Sequence, residues 1–437
     1  MRKNTKSDLA NVLEKLSPCQ SEINGRQFVL DGGHILHRVI WPRPATYDLV
    51  MQVIVQYICR HYGENAVIVF DGYEESLSTK SAEHMRRSQR STSRDIIFDV
   101  SMTISTSQEQ FLGNSTNKAL FINELKPRLT AIGLKVLQAV SDADRLIVET
   151  ALQLSLQSEP VTVVADDTDI LVMLLSSSDS NTELYMLKPG VLNKPSKVYN
   201  IKLLREQLGT MSDSMLFLHA MSGCDTTSAI FMKGKKKAFT VLDKNEGLQA
   251  IVSVFNNQNA RHDEIAAAGE EFLKQLYGCK VTQTLDRLRY YIYKRTVAKQ
   301  PLYSKFDLAT LPPTSAAARQ HSYRVYHQVQ QWRGIELQPT DWGWKQSQLC
   351  ITPIPSLQEV APVKLLQLVS CNCKGDCSTR CDCRRGGLEC TGMCGQCHGE
   401  SCANIRAVIE NDDDSDNEID EASANDDSDT ESDEPDH

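Results

Sequence analysis

The sequence lacks several features that mark whole classes of protein. No run of about 18 apolar residues occurs, and the N-terminal stretch MRKNTKSDLA has no apolar segment. Neither membrane spanning nor secretion is therefore supported. No GxSxG elbow and no Walker motif is present, so neither a nucleophilic serine nor a phosphate-binding P-loop is indicated. We expect an intracellular, nuclear protein with no membrane partner, and its oligomeric state is left open.

Basic residues are missing from residues 410–437. This tail holds 15 of the 56 acidic residues and none of the 47 lysines and arginines, so the rest of the chain carries a net charge of +6. A stretch of this composition is typical of a solvated, disordered segment. The tail could contact a basic protein partner, whereas the mildly basic body suits a polyanion such as nucleic acid.

The order of apolar patterns predicts the fold class. Strand patterns at residues 27–31, 66–71, 135–140 and 161–165 alternate with helical patterns at residues 47–62 and 142–154, which is the β-α-β order of a parallel sheet flanked by helices. From residue 200 the pattern is mainly helical. We expect an extension (1–25), an α/β domain with a helical C-terminal part (26–300), a helix and linker region (301–365), a cysteine-rich domain (366–405) and the acidic tail (406–437). The helix near residues 316–332 and the DWGW turn are expected to pack onto the body.

Seven aspartates lie where strands should end or helices begin. Since ligand sites of open parallel sheets lie beyond the carboxyl ends of the strands, these side chains are expected to converge at one pole. Clustered carboxylates raise one another's pKa, so the arrangement favours bound divalent cations. The seven are Asp31, Asp71, Asp142, Asp144, Asp167, Asp169 and Asp225.

Four of the acidic motifs resemble, in order and spacing, those of the flap endonuclease and XPG-like nucleases of the PIN-like superfamily. They are VFDG (69–72), SDADRLIVETAL (141–152), VADDTDIL (164–171) and SGCDTTS (222–228). The resemblance covers about residues 27–240. It implies a PIN-like fold and a metal-dependent nuclease that hydrolyses DNA or RNA phosphodiester bonds.

The resemblance also implies roles for the acids. Asp71 and Asp144 would bind a first Mg²⁺ or Mn²⁺ ion, and Asp167 and Asp169 would bind a second one. Asp31, Asp142 and Asp225 would act mostly through bound water. Asp142 and Asp144 stand where relatives usually carry glutamates, so their shorter side chains are a departure from the family.

Two basic segments extend the resemblance. Lys80 and Arg87 are seven residues apart, about two helical turns, as in the arch that the family places above its metals, and Arg86 lies beside them; the first two would be catalytic and Arg86 would bind nucleic acid. The segment FMKGKKKAF (231–239) resembles the family's phosphate-binding hairpin. Gly234, Lys235, Lys236 and Lys237 would bind phosphates there, although Met232 stands where relatives carry the first glycine.

Nine of the 14 cysteines lie within residues 371–402. Three tetrahedral zinc ions need twelve thiolate positions, which nine cysteines supply if three of them bridge two ions each. The pattern resembles the CXC domain of tesmin/TSO1-like proteins, which implies about three Zn²⁺. The expected ligands are Cys371, Cys373, Cys377, Cys381, Cys383, Cys390, Cys394, Cys397 and Cys402. Arg380 replaces the tyrosine that DNA-reading relatives carry, so sequence-specific reading of DNA and a structural role are both left open.

The first interpretation is therefore a two-metal nuclease with a zinc module that helps to localise it. The alternative is a nucleic-acid or chromatin-binding protein that keeps the fold but is impaired in catalysis. A structural interaction protein is the third. Retained or lost cleavage in the presence of Mg²⁺ or Mn²⁺ separates the first two.

Overall fold

Six strands form the main sheet of the described part of the chain. In the computed structural model they are β1 (Gln27–Asp31), β2 (Val67–Phe70), β3 (Lys135–Gln138), β4 (Val161–Val164), β5 (Leu184–Lys188) and β6 (Lys197–Asn200). Their order across the sheet is β3-β2-β1-β4-β5-β6. All neighbouring pairs are parallel except β5–β6, which is antiparallel. The expected α/β class with a parallel sheet is confirmed.

The structure describes residues 7–16, 27–72, 79, 93–140, 142–157, 159–179, 182–190, 195–279, 284–299, 307–347, 350–357, 371–374, 376–385, 389–390, 394–399 and 402–404. The chain divides into two compact units, Met1–Gln358 and Glu359–His437. Within the described residues, no helix has the length and apolar character needed to cross a membrane.

Helices cover both faces of the sheet. Those of the α/β part are α1 (Ser7–Leu16), α2 (Gly32–Arg38), α3 (Tyr47–Tyr62), α4 (Gln108–Gly113), α5 (Ser115–Ala131), α6 (Asp144–Ser155) and α7 (Thr168–Ser177). The helices that follow β6 are α8 (Ile201–Leu208), α9 (Met215–Met221), α10 (Lys235–Asp243), α11 (Glu246–Val252), α12 (His262–Leu276), α13 (Leu285–Lys299) and α14 (Ser315–Trp332). A short hairpin of β7 (Trp344–Gln346) and β8 (Ile351–Pro353) closes the first unit, and α15 (Asp382–Arg385) lies in the second.

The strands β2 and β4 are buried on both faces, whereas the edge strand β3 is partly exposed. Side chains of the inner strands alternate between two apolar cores. In β2, Val67 and Val69 belong to one core, whereas Ile68 and Phe70 belong to the other. This alternation follows from the two-residue period of a strand. Because both faces are covered by helices, β2 reads as the continuous apolar run VIVF, as expected for a parallel strand.

The strand order across the sheet reverses at β1. From β1 the chain moves outward through β2 to β3, and then it returns to place β4 on the other side of β1. The carboxyl ends of β1 and β4 therefore flank a topological switch point. Open α/β sheets bind their ligands in the crevice at such a point.

Two segments outside the expected α/β domain are packed into the first unit. In α1, which lies within the expected N-terminal extension (1–25), Leu9 and Leu13 are fully buried in the larger apolar core. The helix α14 packs against α9 and α12 and buries Val325 and Tyr326 in the same core. Packing of this helix onto the body is thereby confirmed, and the boundary expected at residue 300 lies inside the first unit.

Candidate metal centres and nucleic-acid contacts

Three of the predicted aspartates follow three neighbouring strands. Asp31 ends β1, Asp71 comes directly after β2, and Asp167 lies three residues beyond β4. The sheet order places β2, β1 and β4 side by side. The carboxyl ends of these strands meet at one edge, so the three aspartates lie at the pole that the sequence predicted.

A compact carboxylate triad lies at this pole. One ligand oxygen each from Asp144, Asp167 and Asp169 lies within 4.8 Å of the other two. Asp144 is the first residue of α6, and the other two lie at the start of α7. Residues 142–144 and 167–169, which are far apart in sequence, are therefore brought together by packing of α6 against α7.

Local hydrogen bonds fix two members of the triad. Asp167 caps α7, because its Oδ1 accepts a hydrogen bond from the backbone N–H of Asp169 at 2.9 Å. Asp169 is only 2% exposed, and its Oδ1 accepts a hydrogen bond from Nε2 of His219 at 2.7 Å. His219 lies on α9 and is fully buried. The buried carboxylate of Asp169 therefore has an imidazole partner that holds its orientation.

The carboxyl group of Asp31 is buried next to other carboxylates, and its pKa is raised as a result. Its Oδ1 accepts a hydrogen bond from the backbone N–H of His34 at 3.0 Å, which caps α2. Burial raises the pKa of Asp31 to about 7; the hydrogen bond from His34 opposes this rise, and the negative charges of Asp71 and Asp167 add to it. Asp31, Asp71 and Asp167 are therefore close enough to repel one another, as expected for a site that binds cations.

Asp71 is held by groups from two further segments. Its Oδ2 lies 3.1 Å from the ammonium of Lys118 on α5, and its Oδ1 accepts a hydrogen bond from the backbone N–H of Ala143 at 3.2 Å. The following residue must be glycine, because a Cβ on Gly72 would lie 2.0 Å from the carbonyl oxygen of Val140. The motif VFDG therefore combines a carboxylate with a close backbone approach.

The triad fits a hard divalent cation. Mg²⁺ binds oxygen ligands at about 2.1 Å in an octahedron, so its ligand oxygens lie roughly 3 to 4 Å apart. The triad oxygens, all within 4.8 Å of one another, need only small movements to reach this spacing. Asp31 interacts electrostatically with Asp167 and Asp71, and Asp71 accepts a hydrogen bond from Ala143, the residue before Asp144. The donor set therefore suits Mg²⁺ or Mn²⁺.

The structure leaves other predicted residues outside this group. Asp142 is exposed just before α6, and Asp225 is half-buried in the loop after α9; among the described residues, neither is a member of the triad. Lys80, Arg86 and Arg87 lie outside the described residues. Their predicted roles stay predictions.

Two residues of the site carry no sequence signal that would have revealed them. Lys118 and His219 lie inside helices and belong to no recognised motif. Lys118 comes to Asp71 because α5 covers the sheet face beside β2, and His219 comes to Asp169 because α9 packs on α7. Only the packing of helices identifies them.

The basic segment after Asp225 requires one correction. Lys235 is fully buried, and its ammonium donates hydrogen bonds to the carbonyl oxygens of His219 and Gly223, at 3.0 and 2.6 Å, and to Oγ of Ser222 at 3.2 Å. It therefore caps the C-terminal end of α9, and the expectation that it binds phosphate is wrong. If the ammonium moved to a ligand, its three buried oxygen partners would lose their hydrogen-bond donor, so Lys235 is not available to bind phosphate.

The neighbouring residues keep the arrangement expected of a phosphate site. Gly234 is the N-cap of α10, and a Cβ built there would meet nothing within 4 Å. Lys236 and Lys237 are exposed in the first turn. Met232, at the position of the family's first glycine, has φ = 53° and is 76% exposed. The backbone therefore adopts the left-handed conformation that glycine favours, although methionine occupies it.

The cysteines of the second unit form overlapping groups of four. The three groups are Cys371, Cys377, Cys381 and Cys390; Cys371, Cys383, Cys390 and Cys394; and Cys377, Cys390, Cys397 and Cys402, with all Sγ atoms of each group within 4.8 Å of one another. Three cysteines are shared between groups, and Cys390 belongs to all three. Cys373 is half-buried beside the cluster and belongs to none.

The sulfur spacing fits tetrahedral zinc. With Zn–S bonds of about 2.3 Å, the sulfurs of a tetrahedron lie about 3.8 Å apart. The Sγ distances are 3.7 Å for Cys371–Cys377, 3.8 Å for Cys371–Cys390, 3.7 Å for Cys381–Cys390 and 3.6 Å for Cys383–Cys394. Burial, together with the neighbouring Cys394, raises the pKa of the Cys383 thiol to about 12. So many thiolates can be held together only by cations, and the groups therefore suit zinc.

No protein-family model matches the chain, and no curated protein matches it in sequence. Solved structures do resemble it. The catalytic core of Rad2 in complex with a DNA substrate is 14% identical, with a TM-score of 0.39, covering 76% of this chain and 100% of that one. Human GEN1 in complex with Holliday junction DNA is 14% identical, with a TM-score of 0.38, covering 74% and 77%. The D15 protein of bacteriophage T5, co-crystallised with metal ions, is 14% identical, with a TM-score of 0.34, covering 62% and 96%.

Proposed function

We propose that this protein is a divalent-metal-dependent nuclease of the PIN-like type that hydrolyses DNA or RNA phosphodiester bonds. The observation that carries the proposal is the triad of Asp144, Asp167 and Asp169 at the switch point of the sheet, with Asp31 and Asp71 beside it. Divalent ions held there would supply Lewis-acid activation of a phosphodiester and of the attacking water. The sequence motifs around these residues support the same function.

Different residues would hold the two divalent ions. Asp167 and Asp169 would hold one ion, with their orientations fixed by the α7 cap and by His219. Asp144 and Asp71 would hold the other ion. The ammonium of Lys118, 3.1 Å from Asp71, would offset negative charge when a phosphate enters the site.

Phosphates away from the cleavage site would bind at the start of α10. The open N-terminus at Gly234 presents backbone N–H groups, and Lys236 and Lys237 add positive charge. The cysteine cluster would bind about three zinc ions and help to localise the enzyme, which we place in the nucleus. The acidic tail would compete with nucleic acid for the basic body or bind a basic protein.

A second candidate is a nucleic-acid-binding protein that does not cleave. One contact favours it: Lys118 already forms an ion pair with Asp71, which would otherwise be available to a first metal ion. If this pair persists in the presence of divalent ions, only one of the two metal positions is filled, and a two-metal reaction is lost while binding is kept.

A cleavage assay with the full chain tests the proposal. Labelled single-stranded, duplex and flap substrates of DNA and RNA are incubated with the protein in Mg²⁺ or Mn²⁺. We expect cleavage that falls by at least about 100-fold in Asp167→Asn and Asp169→Asn, since both remove a direct ligand. Asp166→Asn is the matched control, because Asp166 is an exposed neighbour that pairs with Lys188.

Metal binding is measured in parallel by calorimetric titration with Mn²⁺. Uptake of Mn²⁺ that is lost in Asp169→Asn but kept in Asp166→Asn supports the centre. Nucleic-acid binding with Mn²⁺ uptake but without cleavage supports the second candidate. Absence of Mn²⁺ uptake by the wild-type protein would refute the nuclease, and nucleic-acid binding without uptake would still fit the second candidate.

A further inference from the structure

The helix α13 presents aromatic side chains to solvent. Tyr290 is 63% exposed, Tyr291 57% and Tyr293 40%. The opposite side of the helix buries Leu285 and Leu288 in the larger core. A run of three exposed tyrosines within four residues is not required for folding of this helix, because the packing is supplied by the leucines. Exposed aromatic clusters of this kind mark binding surfaces.

The same face is positively charged. Arg287, Lys294 and Arg295 are exposed among the tyrosines. Tyr291 is four residues from both Arg287 and Arg295, so these three side chains follow one line along the helix. Lys294 is four residues after Tyr290, and its Nζ lies 5.6 Å from the centre of that ring. Cations and aromatic rings therefore alternate on the exposed surface.

Two further charged side chains of α13 form hydrogen bonds with neighbouring segments of the first unit. Its one acidic residue, Asp286, accepts a hydrogen bond from the backbone N–H of Ser315 at 2.9 Å and thus contributes to the start of α14. Arg289 donates to the carbonyl oxygen of Pro312. Asp286 and Arg289 therefore have partners at the start of α14 and just before it, whereas Arg287, Lys294 and Arg295 add three exposed positive charges.

The helix is anchored at its N-terminal end as well. Glu270 on α12 accepts a hydrogen bond from the backbone N–H of Leu285 at 2.7 Å and another from Oγ of Ser315 at 3.1 Å. One carboxylate therefore ties α12, α13 and the start of α14 together. The tyrosines project from a fixed element, so a ligand that binds them does not have to order the helix first.

From this face we infer that α13 is a binding site for single-stranded nucleic acid, with bases stacking on Tyr290 and Tyr291 and phosphates contacting Arg287, Lys294 and Arg295. Exposed rings interleaved with cations are the surface that single strands recognise, because every base has a face that can stack and every nucleotide has a negative charge. A duplex keeps its bases stacked on one another and cannot use the rings. The site extends the proposed nuclease function but needs no metal ion.

Binding to labelled oligonucleotides tests the inference. The full chain, in EDTA, is titrated against fluorescein-labelled 20-mers of deoxythymidine and of uridine and against a 20-base-pair duplex, with fluorescence anisotropy as the readout. We expect the double variant Tyr290→Ala/Tyr291→Ala to lose about 10-fold or more in affinity for the single strands, since stacking of one base contributes roughly that factor. Affinity for the duplex should change little.

Two further variants separate stacking from a structural effect. Tyr290→Phe/Tyr291→Phe keeps both rings and should keep the affinity. Arg295→Gln should weaken binding and reduce the dependence of affinity on salt by about one phosphate contact. Circular dichroism and thermal unfolding establish that each variant is folded.

The result that overturns the inference is equal affinity of the alanine double variant and the wild type for single strands. Equal losses in the alanine and phenylalanine variants would also overturn it. If the alanine variant changes the sedimentation coefficient of the protein but not its affinity for the oligonucleotides, the face is a protein interface instead. Because the titration is made in EDTA and needs no metal ion, failure of the nuclease proposal does not affect this test.

Discussion

Replacing Asp31 by asparagine should make the metal-free protein more stable at neutral pH. In the folded protein, burial and the neighbouring acids raise the pKa of Asp31 from 3.8 to about 7. Between these two pH values the folded state keeps a proton that the unfolded chain has released. The free energy of unfolding therefore falls as the pH rises through this window, and above about pH 7 the loss is complete.

The size of the effect follows from the shift. One pKa unit corresponds to about 1.4 kcal/mol, so a shift of about three units costs roughly 4 kcal/mol of stability above pH 7. Asp31→Asn removes this cost, because an amide is neutral at every pH. Its carbonyl oxygen can accept the same hydrogen bond from the backbone N–H of His34. The variant should match the wild type near pH 4 and exceed it by up to roughly 4 kcal/mol at pH 7.5.

Urea denaturation followed by tryptophan fluorescence measures the difference. All four tryptophans, Trp41, Trp332, Trp342 and Trp344, are buried in the first unit, so the signal reports on the unit that contains Asp31. The protein is unfolded in EDTA at pH 4.5, 6 and 7.5, with Asp166→Asn as the control.

Added Mn²⁺ should reverse the order of stability. Ions bind ionised carboxylates and stabilise only the folded state, so the wild type should gain more than the variant does. A stability difference between Asp31→Asn and wild type that does not grow from pH 4.5 to 7.5 in EDTA would refute the reasoning. It would mean that burial and the neighbouring acids do not raise the pKa of Asp31 in the folded protein.

Three other predictions concern single residues. Lys235→Met should lower the free energy of unfolding by about 1 to 3 kcal/mol, because two carbonyl oxygens and the Ser222 hydroxyl lose their buried donor, whereas Lys236→Met should change it by less than about 0.5 kcal/mol; urea denaturation measures both, and equal effects would contradict the burial of Lys235. Purified Cys390→Ser should contain less zinc than purified Cys373→Ser, because Cys390 belongs to all three groups of sulfurs and Cys373 to none. Elemental analysis measures the zinc content, and equal content in the two variants would count against this arrangement. Met232→Gly should raise the thermal midpoint by an amount equivalent to about 1 kcal/mol, because φ = 53° is strained for methionine, and a fall in the midpoint would show that the methionine side chain contributes packing.

Much of the fold could be predicted from local patterns. The strand at residues 27–31 and the helix at residues 47–62 have the predicted bounds, since each is a strong periodic run with a clear end. In the helix α3, Thr46 caps the first turn by accepting a hydrogen bond from the backbone N–H of Leu49. The location of Asp167 and Asp169 at the acidic pole could be predicted because they follow a buried strand whose carboxyl end lies there, although Asp167 also caps α7.

The sequence misleads where the environment of a side chain depends on contacts between segments that are distant in the chain. Lys235 was read as one of three equivalent lysines, but helical geometry turns it inward while Lys236 and Lys237 face solvent. Nothing in the run KKK distinguishes them until α10 is docked against α9. Cys373 is outside the three groups of four but interacts with the thiols of Cys371, Cys377 and Cys381, so its role as a zinc ligand stays a prediction.

By itself, the sequence determined the alternation of strands and helices, the location of acids at strand ends and the concentration of cysteines in one short segment, because these depend on periodicity and on residue type. Only the tertiary structure decided which acids lie within reach of one ion, that His219 and Lys118 join them, and that α13 turns its tyrosines outward. These depend on how helices pack against one another, and packing is set by the summed contacts of residues that are distant in the chain.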